Sequence, residues 1–208
     1  MTRKQDALKY LKRVDPKLHK ATQAHHASLP GTLSGKKTRA QLFESLLSTV
    51  VSQQLGLAAA GAIFSRVKKV CGGRLTPESI LKARPEALRK AGLSGAKVKT
   101  LKSIAKAVKN NSLDLLSLKT VPEAEAAEKL MKIWGLGPWS SEMFLMFALG
   151  RPDVFSPGDL GLIRAMETIY GLPRNPPRTS LLAIAEKWSP HRTYASLLLW
   201  RSRDTKAD

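Results

Sequence analysis

Two glycines separated by one residue, Gly135 and Gly137, lie between two stretches in which apolar residues recur at helical spacing. Glycine at such a turn lets the backbone N–H groups at the start of the second helix approach a phosphate, because no Cβ atom obstructs them. Contacts of this kind fix the position of a protein on a nucleic acid without reading its sequence. The spacing is typical of a helix–hairpin–helix, although a tight turn between two packed helices gives the same pattern.

Downstream of this hairpin, the acid Asp159 stands where another helix is expected to begin. It follows the sequence VFSPG and precedes an apolar stretch that starts at Leu160. An aspartate in this place can accept hydrogen bonds from the free N–H groups of the first helical turn. The position alone therefore predicts an N-cap.

The net charge indicates what kind of partner these residues meet. Lys and Arg number 35 against 16 Asp and Glu, which gives a formal net charge of +19. Nucleic acid is the first candidate, since neutralising phosphates releases counterions and provides affinity for any sequence. An anionic membrane is less favoured, because the basic residues are spread over the chain and do not form one amphipathic helix.

Several other classes are excluded by composition. The single cysteine, Cys71, cannot form an intramolecular disulfide framework, a four-cysteine zinc site or a four-cysteine iron–sulfur cluster. The four histidines show no metal-ligand spacing, so no metal site built from side chains is expected. No apolar stretch is long enough to span a bilayer, and the charged N-terminus lacks the apolar region of a secretory signal. We therefore expect a cytoplasmic protein.

The elements that must position the hairpin and the acid are all predicted to be helices, because no sustained period-two alternation occurs. A break at residues 53–56 separates the first two of them. Ser94 is expected to cap the helix that carries a run of lysines. The predicted helices cover residues 39–51, 57–70, 85–91, 94–108, 122–133, 138–149, 158–169, 181–188 and 190–203.

We expect an all-α fold of two helical subdomains within one functional domain. The first covers about residues 40–150 and contains the hairpin at 124–149. The second combines about residues 1–39 with 151–208. We expect this pairing because the helices of about residues 40–150 need something to pack against at both of their ends.

Five segments in order along the chain resemble the helix–hairpin–helix DNA glycosylase superfamily, and within it the 3-methyladenine DNA glycosylase II group. The segments are VVSQQLGLAAAGAIFSRV, AGLSGAKVKTLKSIA, MKIWGLGPWSSEMFLMFAL, VFSPGDLGLIRAM and WSPHRTYASLLLW. The resemblance begins near Arg39, so the mixed α/β N-terminal domain of some bacterial relatives is not expected. It implies an active-site cleft between the two subdomains.

The same resemblance implies a monofunctional DNA N-glycosylase that starts base excision repair. Such an enzyme extrudes an alkylated purine from duplex DNA and hydrolyses its N-glycosidic bond. It would work as a monomer without a cofactor, in the cytoplasm or, in a bacterium, at the nucleoid. Two alternatives stay open: a non-catalytic protein that binds damaged DNA through its hairpin, and a glycosylase that also nicks the strand. The preferred lesion is likewise open among 3-methyladenine, 7-methylguanine, ethenoadenine and hypoxanthine.

Asp159 matches the catalytic aspartate of this superfamily. Cleavage of an N-glycosidic bond builds positive charge on the deoxyribose, which a carboxylate stabilises. Members that nick DNA have a lysine two residues after the second hairpin glycine, and this chain has Trp139 there. Without that amine nucleophile, hydrolysis alone is expected.

Three residues match the base pocket of the 3-methyladenine group: Trp139, Met143 and Trp200. An indole face suits a flipped, positively charged purine through stacking and cation–π attraction. Bacterial relatives often have an aromatic residue where this chain has Met143. For Trp200, at the end of an apolar run, packing in the core is the alternative.

The remaining expected DNA contacts come from two turns and the last helix. Gln53 and Gln54 lie where relatives place the side chain that fills the gap left by the flipped nucleotide, and Gln54 is our choice for this wedge. An ordinary interhelical hydrogen bond is the alternative for either glutamine. Ser140, at the start of the second hairpin helix, joins Gly135 and Gly137 in the expected phosphate contact. Arg192 either contacts phosphate or pairs with an acid.

Overall fold

The computed structural model describes residues 2–33 and 36–204, and all regular secondary structure in these ranges is helical. This confirms the all-α prediction. Residues 2–33 and 150–204 form one compact unit, and residues 36–149 form the other. No helix in the described ranges combines the length and apolar character needed to cross a membrane.

The α-helices are numbered in chain order. They are α1 (Arg3–Val14), α2 (Pro16–Ala21), α3 (Arg39–Ser52), α4 (Leu57–Val70), α5 (Pro77–Lys82), α6 (Pro85–Lys90), α7 (Gly95–Lys109), α8 (Glu123–Met131), α9 (Pro138–Phe147), α10 (Leu160–Tyr170), α11 (Arg178–Glu186) and α12 (Arg192–Asp204). Two short 3₁₀ helices cover Gln23–His25 and Ser117–Lys119.

In the unit of residues 36–149, α3 packs against α4, α7 and α9, and α8 packs against α9. The apolar stripe of α3 supplies much of its core, because Leu42, Leu46, Leu47 and Val50 are fully buried. Ser94 caps α7 as predicted: its Oγ accepts a hydrogen bond from the Lys97 backbone N–H at 3.2 Å. The helix that carries the lysines is thus fixed at its start.

In the unit of residues 2–33 and 150–204, α10 packs against α12 and α2. The buried carboxylate of Asp15 connects its two chain segments. It accepts hydrogen bonds from the Tyr170 hydroxyl at 2.6 Å, the Trp188 indole Nε1 at 2.8 Å and the Leu18 backbone N–H at 2.9 Å. Burial and the bond to Asp15 raise the pKa of Tyr170, so its hydroxyl stays protonated and donates. The buried carboxylate therefore accepts three hydrogen bonds and is not left without partners.

Several predicted helix boundaries are displaced. The helix predicted at 181–188 runs from Arg178 to Glu186, because Pro177 already occupies the N-cap position. The final helix begins at Arg192, two residues later than predicted, and the hairpin's second helix ends at Phe147, two residues earlier. These shifts leave the hairpin turn and the acidic helix start in their predicted places.

Candidate active site

The acid loop, residues 154–159, leads into α10 and is anchored before it reaches the acid. The Val154 backbone N–H donates to the Thr193 Oγ1 of α12 at 3.0 Å, and that hydroxyl donates to the Arg151 carbonyl at 2.7 Å. Phe155 and Ser156 are buried. Because the loop is anchored at Val154 and buried at Phe155 and Ser156, the backbone that leads to Asp159 has a defined position.

Asp159 occupies the N-cap of α10, and its Oδ1 accepts a hydrogen bond from the Leu162 backbone N–H at 2.9 Å. The same oxygen accepts a second hydrogen bond, at 2.8 Å, from the indole Nε1 of Trp200. Two donors on one oxygen fix the orientation of the carboxylate group. Asp159 therefore caps α10, as its position alone predicts, and at the same time presents an oriented, partly exposed carboxylate.

Trp200 is half-buried and packs against the core of its unit, but its polar edge points to Asp159. A tryptophan that only filled the core would need some other partner for its N–H. The structure therefore brings together two of the residues that the sequence predicts for the site.

Gly161 makes this approach possible. A Cβ atom at position 161 would lie 2.9 Å from Asp159 Oδ1, 2.9 Å from Trp200 Cδ1 and 3.0 Å from Trp200 Nε1. Distances under 3.0 Å are essentially never seen for real Cβ atoms, so the bond between indole and carboxylate requires glycine here. The sequence around Gly161 gives no signal of this role, since nothing local marks a contact with a helix far along the chain.

We expect Gly161→Ala to lower the rate of any reaction that depends on Asp159 by about tenfold or more, because the carboxylate and the indole must separate. The helix itself should not weaken, since alanine is favoured over glycine in helices by about 1 kcal/mol. Turnover and thermal unfolding of the variant measure the two effects separately. Gly158→Ala is the matched control, because a Cβ atom at Gly158 meets nothing within 4 Å. Equal turnover for both variants would contradict the role of Gly161.

Arg192 pairs with an acid, the second of the two roles considered for it. Its Nε donates to Asp153 Oδ1 at 2.8 Å and its Nη2 to Oδ2 at 2.9 Å. Ser189 also donates to Oδ2, at 2.7 Å. Burial opposes the charge of Asp153, but the hydrogen bonds from Arg192 and Ser189 lower its pKa below the usual value. This bidentate pair occupies the fork of the guanidinium, and a phosphate contact by Arg192 stays a prediction.

The hairpin turn joins α8 to α9 and depends on Gly135. The residue has φ +86°, and an added Cβ atom would lie 2.0 Å from Thr100 Oγ1 of α7. The turn therefore rests directly on α7. Gly137 occupies the N-cap of α9 and supplies no capping side chain, and a Cβ atom there would meet nothing within 4 Å. A side chain at Gly137 would therefore meet no protein atom, and the absence of one leaves room beside the start of α9 for a phosphate.

Ser140 bonds to Gln53 of the same unit through its side chain, and its predicted contact with phosphate, which the backbone N–H would make, stays a prediction. Its side chain is buried, with 2% exposed, and its Oγ accepts a hydrogen bond from Gln53 Nε2 at 2.8 Å. Gln53 Nε2 also lies 3.4 Å from the Gly135 carbonyl oxygen. The amide of Gln53 thus forms the interhelical hydrogen bond that was its alternative role.

Gln54 is exposed and has φ +57° in the break between α3 and α4, which we call the wedge loop (residues 53–56). Leu55, beside it, keeps 39% of its surface exposed. Leu55 was not predicted as a site residue, although an apolar residue inside a non-helical break was the available signal. The tip of the loop therefore carries two candidates for insertion between bases.

Trp139 and Met143 lie on one face of α9, since they are four residues apart. Trp139 is half-buried and Met143 is buried. Trp134, just before Gly135, was not predicted as a site residue and is 46% exposed, with the Lys99 ammonium 4.1 Å from its ring centroid.

Comparison with known proteins places this geometry in a family. The model of the HhH-GPD superfamily base excision DNA repair protein matches residues 47–191. DNA-3-methyladenine glycosylase 1 of Schizosaccharomyces pombe is 36% identical over 163 residues, which cover 77% of this chain and 72% of that protein. DNA-3-methyladenine glycosylase 2 of Escherichia coli is 28% identical, over 80% of this chain and 59% of that protein.

Solved structures agree with these sequence matches. A DNA-3-methyladenine glycosidase from Bacillus halodurans superimposes with a TM-score of 0.80 at 34% identity, covering 100% of this chain and 93% of that one. A 3-methyladenine DNA glycosylase of Schizosaccharomyces pombe in complex with abasic DNA gives 0.80 at 30% identity, covering 94% and 95%. The resemblance inferred from five sequence segments is confirmed, and the chain belongs to the HhH-GPD superfamily of base excision DNA repair proteins.

Proposed function

We propose that this protein is a DNA glycosylase of the 3-methyladenine type, which releases alkylated purines from duplex DNA and so starts base excision repair. The observation that carries the proposal is the carboxylate of Asp159, held by the Leu162 N–H and the Trp200 indole at the start of α10. The names of the relatives and the net charge of +19 support it independently.

Asp159 supplies electrostatic stabilisation in this proposal. As the bond between C1′ and the base nitrogen breaks, its electrons leave with the base and positive charge develops on the sugar. A carboxylate whose orientation is already fixed stabilises that charge without reorganising during the reaction. Water then adds to C1′, and the loss of its proton leaves an abasic site.

The proposed enzyme hydrolyses the N-glycosidic bond and does not nick the strand. Strand cleavage by this superfamily needs an amine that attacks the sugar and forms a Schiff base. Trp139 holds the position where that lysine is expected, and an indole cannot serve as such a nucleophile. Hydrolysis is therefore the proposed outcome.

We assign DNA contact to the two turns of residues 36–149. The open space over Gly137 accepts a backbone phosphate at the start of α9. Gln54 and Leu55, exposed at the tip of the wedge loop, fill the gap left by the extruded nucleotide. Trp139, Met143 and Trp200 stay the residues proposed to contact the base, with Trp200 also orienting Asp159.

All residues proposed for base release belong to one chain, and the proposed substrate is duplex DNA. We propose that the protein acts as a monomer in the cytoplasm, and at the nucleoid in a bacterial cell. Sedimentation of the protein with and without a DNA duplex measures its oligomeric state.

The decisive experiment incubates the protein with methylated duplex DNA, identifies the released bases by chromatography, and measures strand breaks before and after alkali. We expect released alkylpurines and breaks only after alkali, which cleaves abasic sites. Breaks before alkali would instead indicate a glycosylase that nicks DNA. Binding without released base would indicate a non-catalytic binding protein. Separate duplexes containing 7-methylguanine, ethenoadenine or hypoxanthine then define the preferred lesion.

A further inference from the structure

Lys97 of α7 holds the end of α3 at the point where the wedge loop begins. Its Nζ donates to the Val51 carbonyl at 2.9 Å and to the Gln53 carbonyl at 2.8 Å. The last carbonyls of a helix have no partner within the helix, and a cation there also complements the helix dipole. The ammonium group thus fixes the backbone from which Gln54 and Leu55 project.

The side chain of Gln53 connects the same loop to the hairpin. Its Nε2 donates to Ser140 Oγ of α9 at 2.8 Å and lies 3.4 Å from the Gly135 carbonyl oxygen. Because Ser140 is buried, this bond is shielded from water and stronger than one at the surface. Gln53 is therefore held at its backbone by Lys97 and at its amide by the hairpin.

The hairpin in turn rests on the helix that carries Lys97. Thr100, one turn after Lys97 on α7, is buried, and its side chain leaves no room for a Cβ atom at Gly135. Residues three apart on a helix share a face. One face of α7 therefore supports both the wedge loop and the hairpin turn.

We infer that Lys97 and Gln53 are positioning residues that hold the wedge loop in fixed register with the hairpin, so that extrusion of a nucleotide depends on them. This inference rests on the proposed function. When the wedge loop displaces a base from the stack, the DNA pushes back on the loop. The base is extruded only if the hairpin that binds the phosphates stays fixed relative to the wedge loop. The hydrogen bonds of Lys97 and Gln53 hold the wedge loop and the hairpin in this fixed arrangement within residues 36–149.

The test compares Lys97→Met with Lys102→Met. Both lysines lie on α7, and Lys102 Nζ likewise donates to helix-terminal carbonyls, those of Leu81 at 3.0 Å and Ala83 at 2.9 Å. Both substitutions remove one positive charge and one set of hydrogen bonds to carbonyls. Only Lys97 contacts the wedge loop, so any difference between the variants reports on that loop.

The first measurement does not require base release. A duplex carries the abasic-site analogue tetrahydrofuran beside 2-aminopurine, whose fluorescence rises when a wedge separates it from its neighbour. We expect Lys97→Met to lose most of the rise at saturating protein, while Lys102→Met keeps it. Equal signals from the two variants would overturn the inference, whatever the enzyme does to methylated DNA.

The second measurement is the single-turnover release of 7-methylguanine, either paired with cytosine or placed in a one-nucleotide bulge. Extrusion costs least for an unpaired base. Lys97→Met should slow release from the paired site about tenfold and from the bulge by less than about twofold. An equal loss on both substrates would contradict a role in extrusion. No release by the unchanged protein would count against the proposed function, and the fluorescence result would still decide the inference.

Gln53→Ala keeps Lys97 and removes the contacts of the Gln53 amide with Ser140 and the Gly135 carbonyl, so it serves if Lys97→Met fails to fold. It should give the same selective loss on the paired site. Its effect should disappear when Gln54 and Leu55 are both replaced by alanine, because no wedge is then left to position. An undiminished effect in that background would place Gln53 in some other role.

Discussion

Asp159→Asn is expected to lower the single-turnover rate of base release by about a thousandfold or more, because the negative charge that stabilises the sugar cation is lost. The fold should be retained. An asparagine amide oxygen can accept the hydrogen bonds that Oδ1 now takes from the Leu162 N–H and the Trp200 indole, and asparagine is as good an N-cap as aspartate. Released base, quantified by chromatography, measures the effect.

Comparing Asp159→Ala with Asp159→Asn separates the effect of the charge from the effect of the cap. Asp159→Ala removes both, so it should be as inactive as Asp159→Asn and also lose about 1 kcal/mol of stability. Thermal unfolding of both variants measures that difference. If Asp159→Asn released base at the rate of the unchanged protein, the carboxylate would be only a cap and the proposed mechanism would be wrong.

The second large effect is expected at the hairpin. Gly135→Ala should lower the free energy of unfolding by about 3 kcal/mol, since it combines a left-handed backbone with a steric clash. The residue has φ +86°, and the new methyl group would lie 2.0 Å from Thr100 Oγ1. DNA affinity should fall as well, because the turn must leave its place on α7. Urea unfolding and binding to an abasic-analogue duplex measure the two losses.

Gly137→Ala is the matched control for stability. The residue has φ −109° and open space around it, so alanine should cost less than about 1 kcal/mol. It should still weaken DNA binding, since the methyl group enters the space proposed for the phosphate. Adding Thr100→Ala to Gly135→Ala should restore part of the lost stability by removing the atom that clashes. A lack of any rescue would mean that strain at φ +86° accounts for the whole effect.

The sequence alone predicts the parts of this site that depend on local rules. The turn at Gly135 follows from glycine spacing, and the caps at Ser94 and Asp159 follow from residue type at a helix start. The family resemblance then predicts a chemical role for Asp159. Each of these inferences uses only neighbours along the chain or motifs in family order.

The contacts that orient these residues could not be predicted in the same way. Trp200 approaches Asp159 across 41 positions of sequence, and Gln53 reaches Ser140 across 87. No periodicity or spacing encodes such pairs, which arise only when helices pack. The burial of the Ser140 side chain could not be predicted for the same reason, because a serine after such a turn has the same local pattern whether it is exposed or buried.

The path of the chain has a consequence for the order in which the protein is made. The unit with Asp159 is assembled from residues 2–33 and 150–204, and Asp15 bonds to Tyr170 and Trp188 across separations of 155 and 173 residues. Residues 36–149 lie between these partners and emerge from the ribosome before Tyr170 and Trp188 do. Because domains fold as they emerge and long loops close slowly, we expect the hairpin unit to fold first and Asp159 to be positioned last. On this path the turns proposed to contact DNA form before the carboxylate proposed to act in base release is in place.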